Sequence, residues 1–500
     1  MPRTERVAVI GAGITGACIS RVLSMYENLE VHLIEKEVDV GWGSTKANTA
    51  IIHAGYDDDP DKYPVRASLC AKGNAIWREK WMDELDIRAN WPGDLVVAVT
   101  EDDVKTLKKL LERGIRNGVP GIRIIWDKKE IEELEPNITP NVIAALYAPT
   151  EGQVWHPASA TIAVVENAVD NGVKLHLGTE VTGIRVRHGR VAVVETNKGE
   201  IEVDWVINAA GLFADVISSM VGITHFKIHP RRGEYYLFSR DAYPKTKRIL
   251  FPAPLPWTKG VVVTTTVDGN LMLGPNAQDL PKEESDARNT TLEGLDYVWR
   301  EAHKVVKALP PKSKIIRTFA GLRVEPEPVA DFIIRAYDEV EGFINAAGIR
   351  SPGFASAPAI AYKIVEIMKE RGAELVKKKK WNPYRKEIRR FHDASWEERD
   401  RLIQENPLYA KIVCQCELVT EAEIVEAIKR GATTLDGIKF RTRAMTGDCQ
   451  GSFCMFKIAQ ILARELKIPV WKVTKTGPGS EIGFGDVTVF VKEEKKEEAA

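Results

Sequence analysis

A glycine motif close to the start of the chain restricts the possible folds more than any other stretch. Gly11, Gly13 and Gly16 have the spacing G-x-G-x-x-G; the apolar residues 7–10 precede them, and residues 17–25, of helical composition, follow. This spacing occurs where a strand turns tightly into the helix of a βαβ unit. The pattern therefore predicts a largely parallel α/β sheet that begins with the first residues of the chain.

The same segment predicts a site for a dinucleotide. Gly11 permits the tight turn, Gly13 lets the backbone approach a pyrophosphate, and Gly16 lets the helix pack close to the strand. The helix N-terminus offers N–H groups and a partial positive charge to that pyrophosphate. A second apolar run, residues 31–34, ends at Glu35, 19 residues after Gly16, where a carboxylate can bind a ribose. The alternative is a glycine-rich turn in another kind of βαβ unit.

The length and the composition exclude several classes of protein. With 500 residues the chain is long enough for about three domains. Its net charge of −1 offers no basic field to nucleic acid, and no apolar run reaches the ~18 residues of a membrane span. Six cysteines in 500 residues do not make a disulfide framework, which favours a cytoplasmic location. Charged residues make up 28% of the chain, a composition in the direction of thermophilic proteins.

Four of the cysteines form the second strong motif. Cys414 and Cys416 are a C-x-C pair, and after 32 intervening residues Cys449 and Cys454 are a C-x4-C pair. Four thiolates in two close pairs on a small module suit a metal centre. The spacing departs from the C-x2-C pairs of common zinc ribbons. From these residues alone, an iron–sulfur cluster, a zinc site and unligated thiols all stay open.

Several stretches together resemble a known family. The glycine motif, the loop S-T-K-A-N-T with I-I-H-A-G, the turn N-A-A-G-L-F-A-D and the late A-A-G-I-R-S-P-G-F-A-S resemble the FAD-dependent oxidoreductases of the D-amino-acid oxidase class. The resemblance covers about residues 5–370. Within that class the chain is similar to the FAD-linked glycerol-3-phosphate dehydrogenases and the L-2-hydroxyglutarate dehydrogenases. It implies an α/β fold in which a Rossmann-like FAD-binding domain is interleaved with a mixed-β substrate domain.

The sequence around the cysteines resembles the bacterioferritin-associated-ferredoxin-like [2Fe–2S] domain. The same domain is appended to the large subunit of anaerobic glycerol-3-phosphate dehydrogenases. The resemblance implies a small, mostly α domain that binds a [2Fe–2S] cluster through Cys414, Cys416, Cys449 and Cys454. Thr420 is the predicted N-cap of a helix in this domain.

The predicted organisation has four parts. Residues 1–376 form the FAD-dependent oxidoreductase, 377–408 a solvated linker, 409–466 the [2Fe–2S] domain, and 467–500 an extension with one strand at 487–491 and a disordered tail. The first part divides further into FAD-binding segments at about 1–85, 150–225 and 315–376, and substrate-domain segments at about 86–149 and 226–314.

The resemblance also implies which residues contact the FAD. Hydroxyl and cationic side chains serve the phosphates, and residues 348–354 close over the flavin end, with a helix N-terminus near the pyrimidine carbonyl. The predicted FAD contacts are Gly11, Gly13, Ile14, Thr15, Gly16, Glu35, Lys36, Ser44, Thr45, Lys46, Asn48, Thr49, Val181, Ala210, Gly211, Gly348, Arg350, Ser351, Pro352, Gly353 and Phe354.

Three side chains are candidates for the chemistry on the substrate. His53 is the predicted base, because oxidation of a secondary alcohol requires removal of the hydroxyl proton and relatives have an active-site His at this place. Arg323, in G-L-R-V-E-P, is the predicted anchor of the substrate anion, because a guanidinium presents a planar fork to phosphate or carboxylate. Arg232 is a second candidate for that anchor. The alternatives are a structural histidine and ion pairs at the edge of the core.

The activity implied by the resemblance is oxidation of sn-glycerol 3-phosphate to dihydroxyacetone phosphate. A hydride goes to flavin N5, and single electrons go on through the [2Fe–2S] cluster to an electron-accepting partner subunit. Peripheral association with a membrane through such a partner is part of the same expectation. An L-2-hydroxyglutarate dehydrogenase and an amine or imino-acid dehydrogenase are the alternatives, since phosphate and carboxylate both favour Arg. A redox scaffold with a vestigial alcohol site is the alternative outside enzymes.

Overall fold

A computed structural model describes residues 3–255, 259–328, 330–483 and 485. The chain divides into two compact units, of which the first comprises the described residues of Met1–Lys36 and Val40–Lys386. The second comprises those of Glu37–Asp39 and Glu387–Ala500. In the described part of the chain, no helix combines the length and the apolar character needed to cross a membrane. The strand predicted at 487–491 and the predicted disordered tail lie outside the described residues.

The strands and helices are numbered here in chain order. The strands are β1 (Glu5–Ile10), β2 (Leu29–Ile34), β3 (Ile51–Ile52), β4 (Ala89–Asn90), β5 (Asp94–Ala98), β6 (Arg123–Ile125), β7 (Ala144–Ala148), β8 (Gly152–Val154), β9 (Lys174–His176), β10 (Val181–Arg187), β11 (Arg190–Thr196), β12 (Gly199–Glu202), β13 (Trp205–Asn208), β14 (Lys227–Phe238), β15 (Ile249–Pro252), β16 (Val262–Thr265), β17 (Leu271–Gly274), β18 (Gln278–Asp279), β19 (Ile315–Glu327), β20 (Ile333–Ala336), β21 (Phe343–Ala347), β22 (Ile412–Cys414) and β23 (Val419–Thr420). The helices are α1 (Ile14–Leu23), α2 (Pro64–Ile76), α3 (Met82–Glu84), α4 (Glu101–Arg116), α5 (Lys128–Leu134), α6 (Pro157–Asp170), α7 (Ala214–Ser219), α8 (Leu292–Ala302), α9 (Gly353–Glu370), α10 (Trp396–Glu405), α11 (Glu421–Lys429), α12 (Leu435–Thr442) and α13 (Met455–Leu466).

The glycine motif opens a mostly parallel sheet, as the sequence predicts. Its strand order is β20-β21-β13-β1-β2-β9, and every pair is parallel except β20 with β21. The last four residues of β1 are buried, because helices cover both faces of a doubly wound sheet. Helix α1 packs against both α6 and α9, which closes the first unit around this sheet.

The register of this sheet brings four connecting loops to one edge. Ile10 lies opposite both Ile34 and Asn208, so β1, β2 and β13 end at the same level. Asn208 in turn lies opposite Asn345 of β21, and the two buried amides share a hydrogen bond of 2.8 Å. The loops after these four strands therefore begin at the carboxyl edge of the sheet, where open α/β sheets bind ligands.

A second, mixed sheet is built from chain segments that alternate with those of the first. Its strand order is β18-β14-β17-β16-β15-β5-β7-β6, and β19 pairs with β14 outside this path. The long antiparallel ribbon of β14 and β19 has Gly233 opposite Gly321 and Arg231 opposite Arg323. Since the strands of the two sheets alternate along the chain, the predicted interleaved α/β fold is confirmed.

The second unit is a small, mostly helical domain with the short hairpin of β22 and β23. Thr420 begins α11 with a capping box, in which its Oγ accepts from the Glu423 N–H and its N–H donates to Glu423 Oε2. A buried cluster that includes Ile424, Ile438 and Ile458 forms its core. The predicted cysteine-rich domain thus has a hydrophobic core of its own.

The segment 377–408, predicted as a solvated linker, contains ordered structure. In the first unit, Trp381 Nε1 donates to Ser24 Oγ at 3.0 Å, and its ring covers the Arg21 guanidinium at 5.0 Å. In the second unit, Ser395 caps α10, where its Oγ accepts from the Glu398 N–H. The basic composition did not indicate these contacts, because each depends on a single residue, Trp381 or Ser395, and not on the run of lysines.

Candidate functional site

Two glycines of the motif are required by close backbone packing. Gly11 has φ of +100°, and a Cβ there would lie 2.5 Å from the carbonyl oxygen of Ala209. A Cβ on Gly16 would lie 1.9 Å from the carbonyl oxygen of Gly11. Any side chain at either position would push helix α1 away from the strand edge. The turn therefore has the geometry that the sequence predicts for a pyrophosphate-binding loop.

The donors and acceptors around this turn fit a dinucleotide. Glu35, which follows β2, accepts a hydrogen bond of 2.8 Å from the Ala12 N–H, so its carboxylate lies beside the loop. Thr45 Oγ1 accepts from the Ile14 N–H at 3.1 Å, in the first turn of α1. A Cβ on Gly13 would lie 3.3 Å from that same hydroxyl oxygen. A carboxylate for ribose and a hydroxyl with a helix N-terminus for phosphate thus meet at one place.

The hydroxyl-rich loop after β2 is held in shape by its own side chains. Asn48 Nδ2 donates to the Thr45 carbonyl at 2.8 Å, and Asn48 Oδ1 accepts from the Ala50 N–H at 2.8 Å. A Cβ on Gly321 would lie 1.9 Å from the Ala47 carbonyl oxygen, so the loop packs directly on β19. The side chain of Asn48 is thus used to fold the loop.

Other predicted FAD contacts lie in three settings. Lys36 Nζ is 3.9 Å from the ring centroid of Phe213, in the 3-10 turn Gly211–Phe213 that follows β13. Lys46 Nζ is 4.7 Å from the ring centroid of Trp42. Val181 is buried on β10, in the separate sheet of β10, β11 and β12. Of the other predicted residues, Ile14 and Thr15 lie in the first turn of α1, and Ala210 and Gly211 lie in the turn after β13.

The segment after β21 joins the two sheets. Arg350 Nη1 forms an ion pair of 2.6 Å with Glu325 Oε2 of β19, and Phe354 stacks on Trp77 with centroids 5.5 Å apart. Helix α9 begins at Gly353, so its N-terminal N–H groups lie in this segment. Ser351 Oγ is 3.4 Å from His53 Nε2. The structure therefore brings the predicted flavin-closing segment and the predicted base together.

His53 follows β3 and is held from both sides of its ring. Its Nδ1 is 2.7 Å from Glu151 Oε1, and its Nε2 faces the Ser351 hydroxyl. Burial, together with the positive charge of Lys259, lowers the pKa of His53 to about 4. Because a neutral imidazole has one unprotonated nitrogen, His53 is able to accept a proton near neutral pH.

Arg323 is an unsatisfied cation in the β14–β19 ribbon. Its Nη2 donates to the Asn276 carbonyl at 3.1 Å. Its Nη1 is buried, and the described residues offer it no hydrogen-bond acceptor. A buried guanidinium with an unused donor fits a bound anion, since an unpaired buried donor is costly.

Arg232, the second predicted anchor, lies on the other face of that ribbon. It is opposite Leu322, whereas Arg323 is opposite Arg231, and side chains of successive residues point to opposite faces of a strand. Arg232 donates to Gln278 Oε1 at 2.7 Å and to Asn289 Oδ1 at 3.2 Å. Strand alternation therefore separates Arg232 from Arg323, so the two predicted anchors do not face one anion from the same side of the ribbon.

The four cysteines of the second unit form two pairs. The Sγ atoms of Cys416 and Cys449 are 3.6 Å apart, near the ~3.8 Å edge of a tetrahedron with ~2.3 Å bonds to the metal. The other pair is Cys414 and Cys454. A hydrogen bond from Cys454, together with backbone N–H groups, lowers the pKa of Cys414 to about 6. Within the described residues, no three His, Cys, Asp or Glu side chains converge on one ion. Two thiols at each of two places fit a binuclear cluster better than a single zinc ion.

Family models match both units. The model of the FAD dependent oxidoreductases matches residues 6–367, most of the chain. This chain belongs to the FAD-dependent oxidoreductase family. A second model, the BFD-like [2Fe-2S] binding domain, matches residues 412–464 of the same oxidoreductase. The predicted cofactors, FAD and a [2Fe–2S] cluster, are thereby confirmed.

Individual relatives of this FAD-dependent oxidoreductase differ in how much of it they match. "Glycerol 3-phosphate dehydrogenase" of Caloramator mitchellensis is 45% identical over 481 residues, 96% of this chain and 98% of the relative. "Glycerol 3-phosphate oxidase" of Mycoplasma genitalium is 32% identical over 76% of this chain and 98% of the relative. The FAD-bound structure of the L-alpha-glycerophosphate oxidase of Mycoplasma pneumoniae has a TM-score of 0.70 and 29% identity, covering 77% of this chain and 99% of that one.

Sequence reasoning missed two polar residues at the candidate site of the oxidoreductase. Glu151 precedes β8 and is fully buried against His53. Lys259 precedes β16, and its Nζ is 2.7 Å from Asp57 Oδ2. Each is a single charged residue far along the chain from His53, without a local motif. The only sequence feature that could have indicated a role for Glu151 is its position beside a short apolar strand, and this is a weak signal.

Proposed function

We propose that this protein is an FAD-dependent dehydrogenase that oxidises sn-glycerol 3-phosphate to dihydroxyacetone phosphate. The observation that carries the proposal is the 45% identity, over 96% of this chain, with a relative named glycerol 3-phosphate dehydrogenase. At that coverage the relative spans both the flavin unit and the cysteine unit. The geometry of His53 and Arg323 supports the same reaction, since the substrate has a secondary hydroxyl to deprotonate and a phosphate group to anchor.

The roles of the residues follow from their surroundings. His53 Nε2 takes the proton of the secondary hydroxyl, and Ser351 marks the side of the ring on which that hydroxyl lies. Arg323 Nη1, which lacks an acceptor among the described residues, binds the phosphate group. Bound FAD supplies the acceptor for the hydride that leaves the carbinol carbon. The His53 side chain is only 12% exposed, which limits the access of water to the proton transfer.

The electrons leave through the [2Fe–2S] cluster to a partner subunit. The relative named as an oxidase matches 76% of this chain over nearly its own full length, so part of this chain has no counterpart in it. The cluster, a one-electron centre, suits delivery to another protein rather than to oxygen. Cys416 is exposed, which leaves one edge of the cluster site open to such a partner.

The substrate is tested by anaerobic bleaching of the bound flavin. The purified protein is mixed with glycerol 3-phosphate, L-2-hydroxyglutarate or L-proline without any acceptor, and the flavin absorbance is followed. Rapid bleaching by glycerol 3-phosphate alone is expected. Faster bleaching by either of the other compounds would replace the proposed substrate, and no bleaching by any of them would favour a redox scaffold.

Arg323→Ala should chiefly weaken substrate binding. Loss of a charge-assisted hydrogen bond costs about 1.5–3 kcal/mol, so KM for glycerol 3-phosphate should rise roughly 10–150-fold with a smaller change in kcat. Steady-state kinetics measure both constants. Arg232→Gln is the contrasting variant: it removes a buried guanidinium on the opposite face, and should lower Tm without raising KM. An unchanged KM in Arg323→Ala would contradict the anchor.

Gly13→Val should give colourless protein. A branched side chain at this turn would meet Thr45 Oγ1 and occupy the space that a pyrophosphate needs. The FAD content per chain is measured by absorbance after release with acid, and circular dichroism checks the fold. Cys18→Ala, which shortens a fully buried side chain of the same helix, is the control and should retain FAD. Full flavin occupancy in Gly13→Val would contradict the assigned role of Gly13.

A further inference from the structure

A buried carboxylate faces the nitrogen of His53 that points away from Ser351. Glu151 Oε1 is 2.7 Å from His53 Nδ1, and Glu151 Oε2 accepts a hydrogen bond from the Ala54 N–H. The Glu151 side chain has no exposed surface. The carboxylate therefore has two hydrogen-bonding neighbours, and one of them is the ring of the proposed base.

The backbone fixes the positions of the two residues. Ile52 of β3 lies opposite Gly152 of β8 in an antiparallel pair, which places residues 53 and 151 side by side at the strand ends. The amide of Asn74 donates to the carbonyl of His53 at 3.2 Å and to the carbonyl of Thr150 at 2.8 Å. One side chain thus ties both ends of the contact together, so the pair does not depend on a flexible rotamer.

We propose that Glu151 is a positioning residue that holds the proton of neutral His53 on Nδ1. This inference rests on the proposed function of His53. With Nδ1 as the donor to Glu151, Nε2 is unprotonated and faces the substrate side of the ring. In the reaction the hydroxyl O–H bond breaks and an Nε2–H bond forms, and the electron pair left on oxygen forms the C=O bond. The carbinol C–H bond breaks as its hydrogen leaves with both electrons as a hydride, for which bound FAD would be the acceptor. The positive charge that forms on His53 is balanced by the Glu151 carboxylate.

Other charged groups around the pair act from several elements. Asp57 and Asp58, in the loop after His53, favour a proton on the ring, while Lys259 opposes it. Burial raises the pKa of Glu151 well above its ordinary value, and the charge of Asp57 adds to that rise, while the Ala54 N–H and the charge of Lys259 oppose it. The charge of buried Asp94, on β5, interacts with that of Glu151. Only Glu151 combines direct contact with Nδ1 and a second, fixed hydrogen bond that orients its other oxygen.

Glu151→Gln separates this role from simple packing. The amide has nearly the same shape, yet it has one oxygen and one NH2 group. If the oxygen accepts from the Ala54 N–H, the NH2 group donates to Nδ1 and moves the ring proton to Nε2. If the oxygen instead accepts from Nδ1, His53 keeps its base form, but the NH2 group and the Ala54 N–H are two buried donors that face each other. The first orientation removes the base form, and the second retains it only at the cost of this donor–donor contact.

The expected result is a defect in flavin reduction and not in binding. In anaerobic stopped-flow experiments with glycerol 3-phosphate, Glu151→Gln should reduce its flavin about 10²–10⁴-fold more slowly than the parent. KM, FAD content and the rate of flavin reduction by dithionite should stay near parental values. Glu135→Gln is the matched control, since Glu135 is an equally buried glutamate that binds the N–H groups of Asn137, Lys247 and Arg248. It should lower Tm and leave flavin reduction unchanged.

A double variant decides whether Glu151 acts through His53. If it does, His53→Ala/Glu151→Gln should be no slower than His53→Ala alone. Additive losses, or a parental rate in Glu151→Gln beside a slow His53→Ala, would overturn the role of Glu151. A His53→Ala variant as fast as the parent would instead remove the proposed base itself, so the two failures are distinguishable. If Glu151→Gln does not fold, Glu151→Asp is put through the same comparison, with the same outcomes deciding.

Discussion

His53→Ala should slow reduction of the bound flavin by glycerol 3-phosphate about 10²–10⁴-fold, the usual contribution of a general base. The imidazole is the proposed acceptor of the hydroxyl proton, and burial keeps it neutral and ready to accept. The flavin itself should stay bound, because the predicted dinucleotide contacts at Gly11, Gly13 and Glu35 do not involve His53. Anaerobic stopped-flow absorbance at saturating substrate measures the rate directly.

A second histidine provides the control for that experiment. His303 lies at the end of α8, where its ring contacts Trp299. His303→Ala should reduce its flavin at the parental rate, which separates loss of the base from general destabilisation. If His53→Ala bleaches as fast as the parent, His53 is not the base, and another histidine or a water molecule has that role.

Cys449→Ser should stop turnover with a one-electron acceptor and spare the first reduction of the flavin. Cys449 is one of two thiols that lie 3.6 Å apart, so its loss leaves one iron without a complete ligand set. Loss of the cluster would remove the proposed route from the reduced flavin to the acceptor. Single-turnover bleaching and steady-state turnover with a one-electron acceptor therefore separate the two halves of the reaction.

Metal content provides the independent measurement. The parent should contain about two irons per chain and show an S = 1/2 EPR signal when reduced, while Cys449→Ser should lose both. Cys18→Ala, outside the four cysteines, should keep the iron and the signal. Stoichiometric zinc without iron in anaerobically prepared parent would mean a structural metal site, and the electron route through the second unit would then be abandoned.

Local chemistry in the sequence was sufficient for the cofactor regions. Gly11 and Gly16 are needed because the backbone itself passes where a Cβ would be, and such a requirement is visible in any sequence that contains the motif. The loops after β1 and β2 lie at one edge because parallel strands in register must end together. Spacing and flanking residues predicted that the four cysteines lie in one small domain, whereas the contact of Cys416 with Cys449 did not follow from the spacing.

The tertiary structure alone decided the partners of the candidate base and the separation of the two candidate anion anchors. Glu151 reaches His53 only because β3 and β8 pair in one register, and a shift of one residue would turn the carboxylate away. Arg232 and Arg323 have equal chemistry, yet the β14–β19 register places them on opposite faces. Motifs report what the backbone needs locally, whereas contacts between distant segments depend on strand register, which one sequence does not reveal.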